Sequence, residues 1–301
     1  MPTIETTSQR SIPPALYVVA AVALWSTGGL LIKLTTFDAF TVNCGRSFFA
    51  AIIVGIFTYK KGLRLDRFTV FTSFLYAGTL SCFVYANKTT TAANAIFLQY
   101  TAPIYILILA PFILKEKFNV RDLLTVMLCL GGMALFFVDN TATQSAPSIL
   151  IGNIVALISG VFFGLYILFL RHPRSLQRNP AVSVFYGNLL IVIIMAPLIA
   201  ADPPASASAS DILPIIVLGV FQIGVSYMLF THGIAAGVRP MDASIIGFIE
   251  PTFNPIWVYL FVGERPSGWA VVGGTVILLT VMMHTLRQFF RRERVAEITA
   301  S

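Results

Sequence analysis

Charged residues are scarce in this chain of 301 residues. Only 11% of the residues are Asp, Glu, Lys or Arg, whereas 57% are hydrophobic. The mean hydropathy is +0.84. Because soluble domains are about a quarter charged, this composition excludes an ordinary soluble protein and predicts one that lies largely in a membrane.

Cysteine and histidine are also rare, with three residues of each. The cysteines all lie within apolar segments, and no Cys-x-x-Cys or Cys/His spacing occurs. The histidines are far apart in sequence. This pattern predicts neither a disulfide framework nor a metal site, and we expect no cofactor. The cysteines are Cys44, Cys82 and Cys129, and the histidines are His172, His232 and His284.

Motifs for chemistry are missing as well. The sequence contains no nucleophile–base motif, no nucleotide-binding loop and no pair of carboxylates, so we do not expect an enzyme. An intramembrane enzyme that acts on lipids would need catalytic polar residues clustered at one depth. A single intramembrane carboxylate, Glu250, is weak support for it. A helical channel is a further alternative, but it would not need two inverted gates.

Basic residues exceed acidic ones, which gives a net charge of +7. They lie at the ends of apolar segments rather than in a patch with interleaved aromatic residues. Nucleic-acid binding is therefore not predicted, and the distribution fits membrane orientation instead.

Polar, Pro and Gly clusters divide the chain into ten apolar segments of about 20 residues, the length that crosses a bilayer. The fold class predicted is an all-α polytopic membrane protein with ten transmembrane helices. The segments are 16–34, 40–59, 68–86, 92–114, 123–138, 149–170, 182–200, 213–232, 243–262 and 269–286.

The orientation follows from the lysines and arginines. With the N-terminus in the cytoplasm, 16 of them fall on the inside and three on the outside, which is a strong positive-inside distribution. We therefore expect a multi-pass protein of the cell inner membrane with both termini cytoplasmic. The predicted domains are a cytoplasmic tail (1–14), a first repeat (15–138), an external linker (139–148), a second repeat (149–286) and a basic cytoplasmic tail (287–301).

One motif occurs twice. Pro103 and Glu116 are 13 residues apart in the first copy, as are Pro251 and Glu264 in the second, and the copies are offset by 148 residues (251 − 103). Each copy would contain five spans. Because five is odd, the two halves would face opposite ways as inverted repeats. Inverted repeats are typical of alternating-access transporters with a substrate site near the bilayer midplane.

The duplicated motif resembles a known family. Each copy has an Ala/Ser-rich start, a central proline, a Glu flanked by basic residues or Gly, and then a Gly pair. This arrangement resembles the EamA-type family of the drug/metabolite transporter superfamily, over nearly the whole chain. The matching residues are Ala95, Pro103, Lys115-Glu116-Lys117 and Gly131-Gly132, then Ala243, Pro251, Gly263-Glu264-Arg265 and Gly273-Gly274, and Trp25-Ser26-Thr27.

The resemblance implies a secondary transporter that exports small metabolites by alternating access through a central cavity. Amino acids, including aromatic or other apolar ones as in the YddG-type exporters, are the expected substrates. A multidrug or other metabolite carrier is the alternative. The expected partners are a small-molecule substrate, protons and the lipid bilayer, with no nucleic acid, in a monomer or weak dimer. The motif departs from the family pattern at Lys115, where Gly is common.

Two charged residues lie deep within predicted spans, where ionised groups are costly. Glu250 would line the translocation path, binding a substrate amino group or a proton, or would instead bond backbone groups freed by Pro251 and Pro255. Arg46 would extend to the outer headgroups, or would bind a substrate carboxylate.

Pro103 and Pro251 each break a helix near the middle of its span, and we interpret them as paired gates, with a static kink as the alternative. Polar and amphipathic side chains deep within spans are further candidates for a substrate cavity, since Tyr and Trp offer an apolar wall with one polar group. We expect at least half of them to line it. They are Gln99, Tyr100, Trp25, Tyr85, Tyr166, Gln222, Tyr227 and Asn254.

Overall fold

The structure is a computed structural model that describes residues 12–90, 92–138, 147–204, 208–262 and 267–300. Within these ranges every regular element is a helix, as the composition predicts. The predicted N-terminal tail up to residue 11, the linker at 139–146 and the Gly-Glu-Arg motif at 263–266 lie outside the described residues.

The helices fall into two halves that correspond to the two motif copies. The first half comprises α1 (Pro14–Trp25), α2 (Gly28–Leu34), α3 (Ala39–Thr58), α4 (Arg67–Thr89), α5 (Ala92–Gln99), α6 (Ala102–Ile113) and α7 (Val120–Ala134). The second comprises α8 (Pro147–Leu170), the short α9 (Pro173–Leu176), α10 (Val182–Ala201), α11 (Ala209–Val217), a π-helical segment (Leu218–Val225), α12 (Ser226–Ala235), α13 (Pro240–Gly247), α14 (Ile249–Val262) and α15 (Gly268–Ala300). Helix α15 continues through the predicted C-terminal tail.

Carboxylate caps fix where two of these helices begin. The Oδ1 atom of Asp38 accepts the N–H groups of Phe40 and Thr41 at 2.7 and 3.1 Å at the start of α3. The Oδ1 atom of Asp66 accepts the N–H of Thr69 at 2.8 Å at the start of α4. The first N–H groups of a helix have no partner within it, so a capping carboxylate stabilises the start by about 1 kcal/mol.

Eight helical segments of the described chain are long and apolar enough to cross a membrane. They are Pro14–Ile32, Ala39–Lys61, Arg67–Thr89, Asn94–Ile113, Ile149–Leu170, Val182–Ala201, Ala209–Ala235 and Gly268–Gln288. This is two fewer than the ten predicted. The fifth predicted span is a helix of only 15 residues, α7. The ninth is divided at Phe248 into α13 and α14.

The distribution of polarity is that of a membrane protein. Large apolar side chains face outward, as at Phe112 and Met283, which are 80% and 69% exposed. Polar side chains lie inside, and Arg46, Ser159 and Asn188 are completely buried. Helices with apolar outer faces and polar inner faces can be satisfied only when lipid surrounds them.

The packing between the halves follows a two-fold pattern. The third predicted span of the first half, α4, packs along α8. The third predicted span of the second half, formed by α11, the π segment and α12, packs along α1. Helix α10 packs on α4, as α3 packs on the π segment. The pairs α3–α10 and α7–α15 join equivalent helices directly. Each contact thus has a counterpart with the halves exchanged.

Glycines allow α7 and α15 to approach closely. A Cβ atom on Gly132 would lie 2.9 Å from the side chain of Ile277 and 3.0 Å from the carbonyl oxygen of Gly273. A Cβ on the neighbouring Gly131 would meet nothing within 4 Å. Small residues at a crossing let helix backbones pack in lipid without a gap.

Two carboxylates accept hydrogen bonds that connect the two halves of the fold. Asp66, at the start of α4, accepts a hydrogen bond from the guanidinium of Arg178 in the other half. Asp211, at the start of α11, accepts the backbone N–H and the hydroxyl of Thr36 at 2.8 and 2.9 Å. Each carboxylate lies at the start of the third predicted span of its half and binds the chain before α10 or α3 in the other half.

Predicted continuous spans are interrupted where polar side chains bond the backbone. The first span breaks between α1 and α2, where the hydroxyl of Ser26 donates to the carbonyl of Ala23 at 2.6 Å. The hydroxyl of Thr27 likewise donates to the carbonyl of Leu24 at 2.8 Å. Such local bonds compete with the helix ladder and favour a helix end.

Candidate functional site

A small cavity lies at the centre of the fold, between the two halves. Its volume is about 20 Å³, which is enough for about one water molecule. It is lined by side chains from both halves, and two of them are of opposite charge. The lining residues are Trp25, Arg46, Leu80, Phe83, Gln99, Phe163, Gln222, Ile223, Tyr227 and Glu250.

Arg46 extends into this cavity from α3. Its side chain is completely buried, so the interpretation that it extends to the headgroups is wrong. The Nη2 atom donates to the carbonyl oxygen of Leu80 at 3.2 Å and to Oδ1 of Asn43 at 3.4 Å. The Nε and Nη1 atoms have no hydrogen-bond partner among the described residues. An uncompensated buried cation is costly, and an anion in the cavity would satisfy it.

Glu250 also lines this cavity, one residue before Pro251 on α14. It is 7% exposed, and the hydroxyl of Tyr100 donates to its Oε2 atom at 2.7 Å. No backbone donor to this carboxylate is found within the described residues, so the interpretation that it serves broken backbone bonds has no support there. The hydrogen bond connects α14 with the break between α5 and α6.

Two neutral side chains at the cavity also have free polar atoms. The indole Nε1 of Trp25 and the Oε1 of Gln222 are buried and lack partners in the part of the chain that the structure describes. Leaving such a group unpaired costs about 1–3 kcal/mol. Together with Arg46, the cavity therefore presents unused donors and an unused acceptor to a polar solute.

Gln99 is held in place by a short hydrogen-bond chain. Its Nε2 atom donates to the hydroxyl of Ser159 at 2.8 Å, and that hydroxyl donates to the carbonyl of Thr79 at 2.9 Å. These bonds connect α5, α8 and α4 beside the cavity. Gln99 is therefore a wall of the cavity with its amide orientation fixed.

Aromatic rings surround the polar groups. The ring of Tyr227 lies 4.7 Å from that of Trp25 and 4.8 Å from that of Tyr76. Trp25 also contacts Phe163 and Phe230, at 5.8 and 4.7 Å. Aromatic pairs at these distances form a rigid apolar wall.

The remaining predicted site residues lie at different distances from the cavity. Tyr166 is completely buried behind Tyr227 and faces Ser183, with 3.3 Å between the hydroxyls. Tyr85 lies apart from the cavity, beside Phe40 at a ring distance of 6.5 Å. Asn254 is on α14, but its side chain lies outside the described part of the chain.

Both predicted gating prolines follow a helix break. Helix α5 ends at Gln99, and Pro103 is the second residue of α6. Helix α13 ends at Gly247, and Pro251 is the third residue of α14. Because proline has no N–H, each proline removes a bond that would otherwise continue the preceding helix. The breaks place Tyr100 and Glu250 opposite each other.

One residue beside the cavity was not selected by the sequence. Tyr76 is completely buried, with its hydroxyl accepting the side-chain amide of Asn188 at 2.9 Å. Gln222, which the sequence did select, lies in a π-helical segment, a feature often found at functional sites but not visible in a hydropathy pattern. A Cβ at Gly28 would lie 2.6 Å from the Nε2 of Gln222, so a glycine there makes room for this side chain.

Metal binding finds no support in this region. Among the described residues, no group of three or more His, Cys, Asp or Glu side chains could hold a metal ion. The residues that line the cavity offer charge pairing, hydrogen bonding and aromatic contact.

Comparison with protein families gives a match over both halves. The family model described as "EamA-like transporter family" matches residues 12–138 and 150–286. The chain belongs to the EamA-like transporter family. This confirms the resemblance seen in the duplicated motif and makes the chain a multi-pass membrane transporter.

Individual relatives agree with this membership in the EamA-like family. The "Uncharacterized transporter YxxF" of Bacillus subtilis (strain 168) is 28% identical over 70% of this chain, a match that spans 66% of that relative. An "Uncharacterized transporter" of Archaeoglobus fulgidus is 24% identical over 88% of this chain and 94% of its own length. One crystal structure matches with a TM-score of 0.77 at 18% identity, covering 91% of this chain and 96% of that one, and so shares the fold.

Proposed function

We propose that this EamA-like transporter exports amino acids from the cytoplasm by alternating access through the central cavity. One observation carries the proposal: Arg46 and Glu250 line the same buried cavity, and Arg46 has two unpaired donor atoms there within the described chain. An amino acid carries a carboxylate and an ammonium group close together. A site with one buried cation and one buried carboxylate matches both.

Each group of a zwitterion has a partner in the cavity. The Nε and Nη1 atoms of Arg46 and the indole N–H of Trp25 are donors for the carboxylate. The carboxylate of Glu250 and the Oε1 of Gln222 are acceptors for the ammonium group. The rings of Trp25, Phe163 and Tyr227 would then contact the side chain of the substrate, which favours aromatic and other apolar amino acids.

The proposed membrane arrangement is ten transmembrane helices in two inverted repeats with both termini in the cytoplasm of the inner membrane. It takes α7 as the fifth span and α13 with α14 as the ninth. The exchange of packing partners between the halves supports the repeat relation. The breaks before Pro103 and Pro251 supply two equivalent places where a helix half can move.

A carrier of drugs or other metabolites is the second candidate. The aromatic walls favour it, because they would accept many apolar solutes. This candidate does not explain why Arg46 and Glu250 line the same cavity. A neutral or singly charged solute would leave at least one of the two charged groups without a partner.

The test is counterflow of labelled amino acids into proteoliposomes, with and without a pH gradient. For a transported amino acid we expect its methyl ester, which lacks the carboxylate, and its N-acetyl form, which lacks the ammonium group, to compete at least about tenfold more weakly, the cost of one charge-assisted contact. Arg46→Lys should reduce the discrimination against the ester, and Glu250→Gln the discrimination against the N-acetyl form. Arg64→Lys, at a side chain 81% exposed, is the matched control.

The outcomes separate the candidates. If no amino acid is exchanged but apolar organic cations are, the result supports the drug carrier. Proton coupling is tested in the same assay: if Glu250 carries the proton, Glu250→Gln removes the pH dependence of counterflow. An unchanged pH dependence in that variant would contradict the proton role.

A further inference from the structure

A second, larger groove opens where α7 and α15 meet, at the end of the fold that carries basic residues. Its volume is about 1270 Å³, and it is lined by the first half of α7, the chain before it, Arg239 and residues 280–290 of α15. It is separate from the central cavity and shares no lining residue with it.

The rim of the groove carries cations without acidic partners. Lys117, Arg121 and Arg287 are exposed, and none makes an ion pair with an acidic residue that the structure describes. The two acidic residues in the lining are Glu116 and Asp122, and Asp122 pairs with Arg239 at 3.4 Å. The rim therefore retains an excess of positive charge.

The wall below the rim contains large apolar side chains beside the polar Thr125, Thr280 and His284. Leu128 on α7 and Met283 and Leu286 on α15 line the groove and are 55%, 69% and 47% exposed. These residues belong to the outward-facing apolar surface that lipid covers. A groove with cations at one end and apolar side chains along its length matches an anionic amphiphile rather than a soluble anion.

We propose that this groove binds one anionic phospholipid, with its phosphate headgroup at Lys117, Arg121 and Arg287 and its acyl chains along Leu128, Met283 and Leu286. The positive charge of the rim indicates an anionic headgroup, and the apolar side chains of the wall indicate that this headgroup belongs to a lipid. Basic pockets between transmembrane helices are a common form of lipid recognition.

A second basic pocket provides an internal comparison. It is lined by Lys61, Arg64, Arg174 and Arg178 and has a volume of about 390 Å³. Unlike the groove, it contains no large apolar side chain in its lining. A phosphate group that is recognised by its charge alone would bind in this pocket as well as in the groove. A difference in lipid affinity between the pocket and the groove therefore measures the contribution of the acyl chains.

The experiment is a lipid titration followed by native mass spectrometry of the full-length protein in detergent. Wild type should bind dioleoylphosphatidylglycerol with one tight site and dioleoylphosphatidylcholine much more weakly. The triple variant Lys117→Gln, Arg121→Gln, Arg287→Gln should weaken the tight site roughly a hundredfold, at about fivefold per cation. The triple variant Lys60→Gln, Lys61→Gln, Arg64→Gln removes the same charge elsewhere and should leave the tight site unchanged.

Three results would overturn the proposal. Equal phosphatidylglycerol affinity in the two triple variants would show that the groove cations do not bind it. Equal affinity of wild type for the two lipids would show that the headgroup charge is not recognised. Full displacement by millimolar inorganic phosphate would make a soluble anion the ligand. Arg287→Gln alone, with an expected loss of about fivefold, tests the site with a single exposed substitution.

Discussion

Tyr100 and Phe248 occupy the same position in the two repeats, and their rings are in contact. They are 148 residues apart (248 − 100), which is the offset between the motif copies, and their ring centroids are 5.2 Å apart. Equivalent residues of two repeats can touch only where the axis that relates the repeats passes. Both residues lie at the helix breaks, so the two broken helices meet at the centre of the molecule.

Tyr100→Phe should lower the stability of the fold without changing the ring packing at this contact. The substitution keeps the ring against Phe248 and removes the hydroxyl that donates to Glu250 at 2.7 Å. We expect a loss of about 1–3 kcal/mol in the free energy of unfolding, because the carboxylate stays buried with one donor fewer. Chemical denaturation in detergent measures it. Tyr105→Phe, on the half-buried Tyr105 of α6, is the control and should change stability little.

Gly132→Ala should separate α7 from α15. The new methyl group would lie 3.0 Å from the carbonyl oxygen of Gly273, a backbone atom that cannot turn away. We expect a destabilisation of about 1–3 kcal/mol, typical of overpacking. The matched control is Gly131→Ala, where nothing lies within 4 Å. Equal melting temperatures for the two variants would show that the helices are not in close contact.

Asp66→Asn should change how stability depends on pH. The backbone N–H of Thr69 lowers the pKa of the Asp66 carboxyl below its usual 3.8. The guanidinium of Arg178 adds to this lowering, and the two together outweigh the opposing effect of burial. A lowered pKa stabilises the fold fully above about pH 5, and the contribution is lost as the pH falls through the folded pKa. We expect the variant to melt at a lower temperature at pH 7 and to lose less stability than wild type between pH 5 and pH 3.

The control for this prediction is Asp202→Asn, at an exposed carboxylate after α10. Its melting temperature should follow the wild-type pH profile. If Asp66→Asn follows that profile as well, the contact between Asp66 and Arg178 does not stabilise the fold.

Pro103→Ala should slow transport if the break before α6 is a gate. Alanine restores an N–H that could bond the carbonyl of Gln99, four residues earlier, and would continue α5 into α6. We expect counterflow to fall about tenfold, equal to about 1.4 kcal/mol in the barrier. Pro111→Ala lies within α6, away from the break, and is the matched control. Equal rates for Pro103→Ala and wild type would favour the static kink.

Much of the architecture could be predicted because lipid imposes strict rules on sequence. Composition and charge distribution identify apolar helices, and the matched interval from proline to glutamate identifies the two halves. The breaks within the predicted spans could not be predicted in this way. The break at Ser26 and Thr27 depends on hydroxyls that bond nearby carbonyls, and an apolar window does not detect such local competition.

Some features of the candidate site could likewise be predicted from the sequence, and others could not. Glu250 and Arg46 could be selected from the sequence because charge within a span is costly. Their shared cavity could not, because it depends on the packing of α3 against the second half. Tyr85 is not among the residues that line this cavity, because an aromatic residue within a span can face a neighbour near the helix end, here Phe40, as easily as a central cavity.

The central cavity of about 20 Å³ has a consequence for any binding measurement. Ligand pockets of small molecules span roughly 300–1,000 Å³, so a solute as large as an amino acid must bind a more open arrangement of the same helices. The apparent dissociation constant then equals the intrinsic one divided by the fraction of molecules in that arrangement. A substitution far from the cavity that destabilises the closed packing should therefore tighten apparent binding without touching the solute.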